Sequence, residues 1–179
     1  MAAGSDISGV VGRIETVTGF DDFFVANYCA LTRVIYRVVG DPDCAEELAS
    51  EAFWRLHRKP PANEDNLVGW LYRTGLRLAL DHLKKRNRRS HYEGLAAAAY
   101  EPQTPETVAQ QIERQTRVRR VLARINRRHT ALLILRSEGH SLAEMASILH
   151  LNPGSIGTFL ARSDAAFRKE YLKLNGDHD

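Results

Sequence analysis

Apolar positions recur every three to four residues from about Phe20 onward, the period of helices that bury one face. Nowhere do Val, Ile and Thr alternate with polar residues for long enough to make a strand. The pattern predicts an all-α chain. A first helix spans about Phe20 to Val39 and stops at Gly40. A second follows the Asp41-Pro42-Asp43 turn, with Asp43 as N-cap, and runs to about Arg58. Lys59-Pro60-Pro61-Ala62-Asn63 breaks it, and a third helix runs from near Asp65 to about Arg89.

Residues 91–105 carry a glycine, an alanine run and two prolines, which reads as a flexible linker and a domain boundary. Helix resumes from about Glu106 to Asn126 and again from about Arg128 to Glu138, where Gly139 stops it. Ser141-Leu142-Ala143-Glu144 has the form of a capping box, opening a helix that ends near Leu149. Asn152-Pro153 is an N-cap followed by proline, opening a last helix to about Leu174. The expected organisation is two small helical domains, 20–90 and 114–174. A lead at 1–19, the segment 91–113 and a tail at 175–179 flank them.

The third helix is amphipathic in an informative way. At 100° per residue, Trp70, Arg73, Arg77, Lys84 and Arg88 share a stripe about 60° wide, diluted by Asp81. Leu71, Leu76, Leu78, Ala79 and Leu83 occupy the opposite arc, fit to be buried. A line of cations tracks a phosphate backbone, and an aromatic offers a stacking surface to an unpaired base. A solvated charged face with Trp70 in the core is the plainer reading of the same stripe. The second helix differs: Asp43, Glu46, Glu47 and Glu51 precede Phe53 and Trp54. Acids early in a helix suit its dipole, and acids beside aromatics also suit a protein partner.

The last two helices are joined by a short turn and have helix-turn-helix spacing. Ala146 lets them cross closely, with Ile148, Leu149, Leu151, Ile156 and Leu160 as their shared core. The outer face of the last helix carries Ser155 and Thr158, positioned for base edges, then Arg162 and Lys169, better placed for phosphates.

Composition narrows the classes. Charged residues make up 26% and hydrophobic ones 44% of 179 residues, a globular mixture, and no apolar run approaches the ~20 residues of a membrane helix. The opening residues have no signal-peptide pattern, so a cytoplasmic protein without membrane insertion is expected. Net charge is only +3, but residues 114–173 carry +8 behind an acidic connector of −4 at 91–113, which points to a polyanion partner for that third. Cys29 and Cys44 read as free thiols. No histidine or cysteine spacing suggests a metal, and no nucleophile–base pair or phosphate loop suggests an enzyme. No cofactor and no small-molecule substrate are expected.

The order of these pieces resembles the sigma factors of bacterial RNA polymerase, of the extracytoplasmic-function (ECF) type in the sigma-70 family. Asp43 to Phe53 is similar to that family's D-A-E-D-L-x-Q-E-x-F segment. Trp70-Leu71-Tyr72-Arg73 with Leu78 to Lys85 is similar to its W-L-x-R…L-A-L-D-x-x-R-R helix, and Gly139 to Ala146 to its G-x-S-x-x-E-I-A. The departures are Ile125-Asn126 for a usual Leu-Pro, Arg77 for an Asn, and Ser155-Ile156-Gly157-Thr158-Phe159 for T-V-K-S-R.

The resemblance implies a three-helix region 2 domain and a helix-turn-helix region 4 domain. It implies that Glu46, Glu47, Glu51, Phe53 and Trp54 hold the clamp helices of the polymerase β′ subunit, with the β flap as a second contact. It implies that Lys59, Asn63, Trp70, Arg73, Arg77, Lys84 and Arg88 bind and melt the minus-ten element, and that Ser155, Thr158, Arg162 and Lys169 read the minus-35 element. Core polymerase and promoter DNA are the implied partners, with an anti-sigma factor as a further one. A stand-alone helix-turn-helix regulator, or a sigma-like protein recruiting polymerase without ordinary minus-35 reading, are the alternatives.

Overall fold

In the computed structural model, residues 17–61, 66–93 and 106–176 are described, and all regular elements among them are helical. They are α1 (Val17–Val39), α2 (Pro42–Arg58), α3 (Leu67–Glu93), α4 (Glu106–Arg124), α5 (Arg127–Ser137), α6 (Leu142–Leu149) and α7 (Ile156–Asn175), the last preceded by a 3-10 turn at Pro153–Ser155.

Helices α1, α2 and α3 form one bundle, each packed on the other two. Phe53 is 2% exposed and its ring lies 4.7 to 6.4 Å from those of Phe20, Phe23, Phe24 and Tyr28. On the other side, α3 approaches α1 at Gly75, where a Cβ would come within 2.8 Å of Leu31 Cδ1. Of the arc expected to be buried on α3, Leu71, Leu76, Ala79 and Leu83 are buried and Leu78 is half-buried.

Four boundaries move. Helix α1 begins at Val17, ahead of the expected Phe20, so the helix takes in part of the expected lead. Asp41, not Asp43, caps α2: its carboxylate accepts from the Cys44 amide at 2.8 Å, and Pro42 takes a first-turn position where no backbone N–H is needed. Asn66 begins α3, its Oδ1 accepting from the Gly69 amide at 2.7 Å. Asp65 lies outside the described residues. Helix α3 also runs on to Glu93, into the expected linker, whose remaining residues 94–105 lie outside the described ones.

The second group is built from α4, α5, α6 and α7. Buried Leu132, Leu135, Met145, Ile156 and Leu160 form much of its core, with Leu149 and Leu151 half-buried beside them. The capping box is present: Ser141 accepts from the Glu144 amide, and the Glu144 carboxylate accepts from the Ser141 amide at 2.7 Å. These bonds hold the Glu144 carboxyl below its usual range. Ser141→Ala is expected to destabilise the chain by about 1 kcal/mol in chemical denaturation, the usual effect of losing such a cap. Helix α6 ends at His150 in the left-handed conformation (φ 50°), and the Asn152 side chain then caps the 3-10 turn.

The two groups are not separate. Helices α4 and α6 lie on α3, and α5 touches α1. At the end of α1, Gly40 has φ 72°, and a Cβ there would stand 1.9 Å from Arg119 Cζ of α4. Arg86 donates to the Val39 carbonyl at 2.9 Å, so two cations gather at this helix C-terminus, where the backbone carries partial negative charge. Burial, and Arg86 nearby, pull the Arg119 guanidinium below its ordinary value. Arg37 of α1 donates to Glu138, at the end of α5, at 2.5 Å. The two helical groups expected from the sequence are present and pack on one another. A helical unit of about 60 residues buries only a modest fraction of its apolar surface, so each group gains by covering the other.

Candidate nucleic-acid and protein interfaces

Helix α2 carries its charged and apolar residues on different faces. Glu46 and Glu47 are exposed, and Glu51 is half-exposed and accepts from Arg55 at 2.6 Å. Trp54 is 51% exposed, with the Arg58 guanidinium 5.1 Å from its ring centre. Phe53 does not belong to this surface. Its ring is the centre of the α1–α2 aromatic cluster, one helical step round from Trp54, so the expectation that it meets a partner is corrected. What α2 offers outward is an acidic strip ending in an indole.

On α3 the expected stripe divides. Arg77 and Arg88 are exposed and Lys84 is half-buried. Trp70 and Arg73, toward the helix start, are half-buried. Arg73 Nη1 donates to the backbone carbonyl of Ile148 at 2.6 Å, in the last turn of α6. Asp81, which diluted the stripe in sequence, is paired with Arg127 at 2.5 Å, so α5 partly restores its positive character. Lys59 is exposed just beyond the end of α2, while Asn63 lies outside the described residues.

Helix α7 presents Thr158, Arg162 and Lys169 to solvent, with Ser155 half-buried at its start. Gly157 is exposed, and a Cβ there would meet nothing within 4 Å, so packing does not require the glycine. Neighbouring charges on this side are partly spent within the protein: Arg124 reaches Glu170 at 3.4 Å, and Arg136 reaches Asp164 at 3.4 Å.

Both cysteines are free thiols, as expected. The Cys44 sulfur lies 3.5 Å from His82 Nε2, and burial, then Asp41, raise its thiol above the ordinary value. The residues that sequence reasoning passed over are those joining the groups: Asn66, Ser147, Glu138, Arg37 and Arg119. Only Asn66 gave a signal, as an N-cap residue ahead of an apolar run. The others are polar residues on helix surfaces whose partners lie far along the chain.

Residues 23–89, the α1–α3 bundle with its acidic and basic faces, match the family model for sigma-70 region 2. That match spans the first group of helices, less than half of the chain. It is 40% identical over 73 residues to the probable ECF RNA polymerase sigma factor SigI of Mycobacterium tuberculosis, a match covering 40% of this chain and 25% of that protein. The shared part is therefore about a quarter of that relative's length. It is 24% identical over 156 residues to the ECF RNA polymerase sigma factor SigW of Bacillus subtilis, covering 79% of this chain and 83% of that one. Its fold is similar to that in the solved complex of sigma factor RpoE with anti-sigma factor NepR from Bartonella quintana. There the TM-score is 0.51 and the identity 19%, over 89% of this chain and 99% of that one. The region 2 match reaches Arg89, so the second group of helices rests on the SigW alignment and on the fold likeness.

Proposed function

We propose that this chain is a promoter-recognition subunit of RNA polymerase with no catalytic activity of its own. Working in the cytoplasm, it binds core polymerase and directs transcription initiation. The observation that carries the reading is that the region 2 match falls on the bundle bearing an exposed acidic–indole face on α2 and a basic stripe on α3. Glu46, Glu47, Glu51 and Trp54 engage the clamp helices of the largest subunit. The unit formed by residues 20–90 handles the minus-ten element: Trp70 stacks on a base drawn out of the duplex, and Arg73, Arg77, Lys84, Arg88, Lys59 and Asn63 follow the strand's phosphates.

The unit formed by residues 114–174 carries the second DNA contact. Ser155 and Thr158 face base edges, and Arg162 and Lys169 face phosphates. With Arg162 as the cation nearest the start of α7, minus-35 contacts contribute less than the α3 stripe. The polymerase flap and an anti-sigma factor are further partners that this reading includes.

The test is run-off transcription with purified core polymerase across genomic fragments. Transcripts starting at defined sites only when the chain is present support the reading, and none from any fragment overturns it. Within it, Arg77→Ala is expected to weaken promoter binding and flatten its dependence on salt by roughly 0.7 to 0.9 in logarithmic slope, the signature of one lost phosphate contact. Arg162→Ala is expected to do less. Titration of each variant at several salt concentrations checks both.

A further inference from the structure

We propose that the cavity walled by α1, α4, α5 and α7 is a binding site for a small carboxylate with an aliphatic body. The site stands independently of the reading of α3 and α7 as DNA-binding helices.

Its cationic part is set by Gly40. That residue ends α1 at φ 72°, and the Arg119 guanidinium of α4 takes the space of the missing side chain: a Cβ would stand 1.9 Å from Cζ. Arg119 is thereby held in place, yet its hydrogen bonding is incomplete. Nη2 reaches Gln115 Oε1 at 3.3 Å, while Nε is enclosed with no acceptor. The partial negative charge at the end of α1 is shared with Arg86, which takes the Val39 carbonyl at 2.9 Å. The groups that bear on the charge of Arg119 are Arg86 and Tyr36, and neither is a carboxylate. Enclosed cations in proteins are usually paired with an anion, and this one is not. Arg114, on the same helix, also lines the cavity; it is exposed and has no acidic partner among the described residues.

Much of the remaining wall is apolar. Leu122, Leu133, Ile134 and Phe167 line the same cavity, whose volume of about 760 Å³ lies within the range of small-molecule sites. Such a wall fits a hydrocarbon chain and offers nothing to a sugar. The other charges on the lining are already matched: Arg37 reaches Glu138 at 2.5 Å, and Asp164 reaches Arg136 at 3.4 Å. The Asp164 carboxylate also disfavours a polyphosphate, whose several charges would face it. A single carboxylate supplies the acceptor that Arg119 lacks, and its aliphatic body covers the apolar wall.

The probe is sodium decanoate, below its micelle-forming concentration, added to the full chain, with decanol as the neutral counterpart. Calorimetry should show decanoate bound about tenfold or more tightly than decanol, the scale of a charge-assisted hydrogen bond. Decanoate should also raise the unfolding midpoint, since it binds only the folded cavity. Arg119→Gln should weaken decanoate binding about tenfold and leave decanol binding unchanged. Arg120→Gln removes the same charge from an exposed position on α4 outside the lining, and should bind as the parent does.

A readout on the parent chain does not depend on how R119Q folds. In NMR titration with decanoate, the Arg119 Nε–H and Phe167 ring resonances should shift together. The site is overturned if decanoate binds no more tightly than decanol, if R120Q weakens binding as much as R119Q, or if the shifts lie outside the lining. Shifts at the lining that follow protein concentration and not decanoate would make this face a contact between two copies of the chain, which also overturns it.

Discussion

Trp70→Ala is expected to reduce promoter opening roughly tenfold or more while leaving association with core polymerase intact. A base stacked on an aromatic side chain contributes ~1–3 kcal/mol, and ~1.4 kcal/mol corresponds to a factor of ten. The indole is placed for this role by its position on α3: it lies on the stripe that continues through Arg77 and Arg88, both exposed. It is also half-buried, so part of its surface belongs to the packing of the protein. The variant must therefore be shown to be folded, by its circular dichroism and its unfolding midpoint. Permanganate footprinting of the melted region then reads the effect directly. Normal melting with Trp70→Ala, alongside abolished binding with Arg162→Ala, would make Trp70 a packing residue only. The stand-alone helix-turn-helix regulator would then become the better account.

The second large effect is expected at α2. Reversing charge at both Glu47 and Glu51 should abolish co-purification with core polymerase and leave the isolated DNA contacts of α7 unchanged. Charged pairs at a protein interface lose far more than their net attraction when one side is reversed, because like charges are then forced together. The two positions are not equivalent. Glu47 is exposed, whereas Glu51 already accepts from Arg55. Glu47→Lys alone is thus the cleaner probe, and Glu51→Lys also removes a helix-surface pair of a few tenths of a kcal/mol. Trp54→Ala should weaken binding as well, since an exposed tryptophan at the edge of an acidic strip has the character of an interface anchor. Pull-down of core polymerase at wild-type yield by the doubly reversed chain would remove α2 from the interface.

Much of the architecture was legible in the chain itself. Helix content, the Gly40 and Gly139 stops, the Ser141–Glu144 capping box and the Asn152 cap follow from local rules: apolar period, side-chain oxygens that reach nearby amides, and glycine's freedom at positive φ. The buried arc of α3 and the burial of Ala146 follow from the same periodicity. Local rules fared worse where two residues could play one part. Asp41 and Asp43 both flank Pro42, and only the folded backbone chose Asp41. Phe53 and Trp54 are adjacent aromatics, and which one turns inward depended on where α1 lay, not on either residue type.

What the sequence by itself determined is the set of helices, several of their caps and stops, and their two-faced character, because these arise from interactions within about four residues. What only the tertiary structure decided is how the two groups of helices meet. Arg73 with Ile148, Asn66 with Ser147, Arg37 with Glu138 and Arg127 with Asp81 are joined across 46 to 101 positions. No periodicity marks such pairs, since each residue also makes good sense as a solvated one on its own helix. The engagement of Arg73 comes from that meeting. A stripe that looks uniformly available in sequence is therefore, in the folded chain, open at one end and engaged at the other.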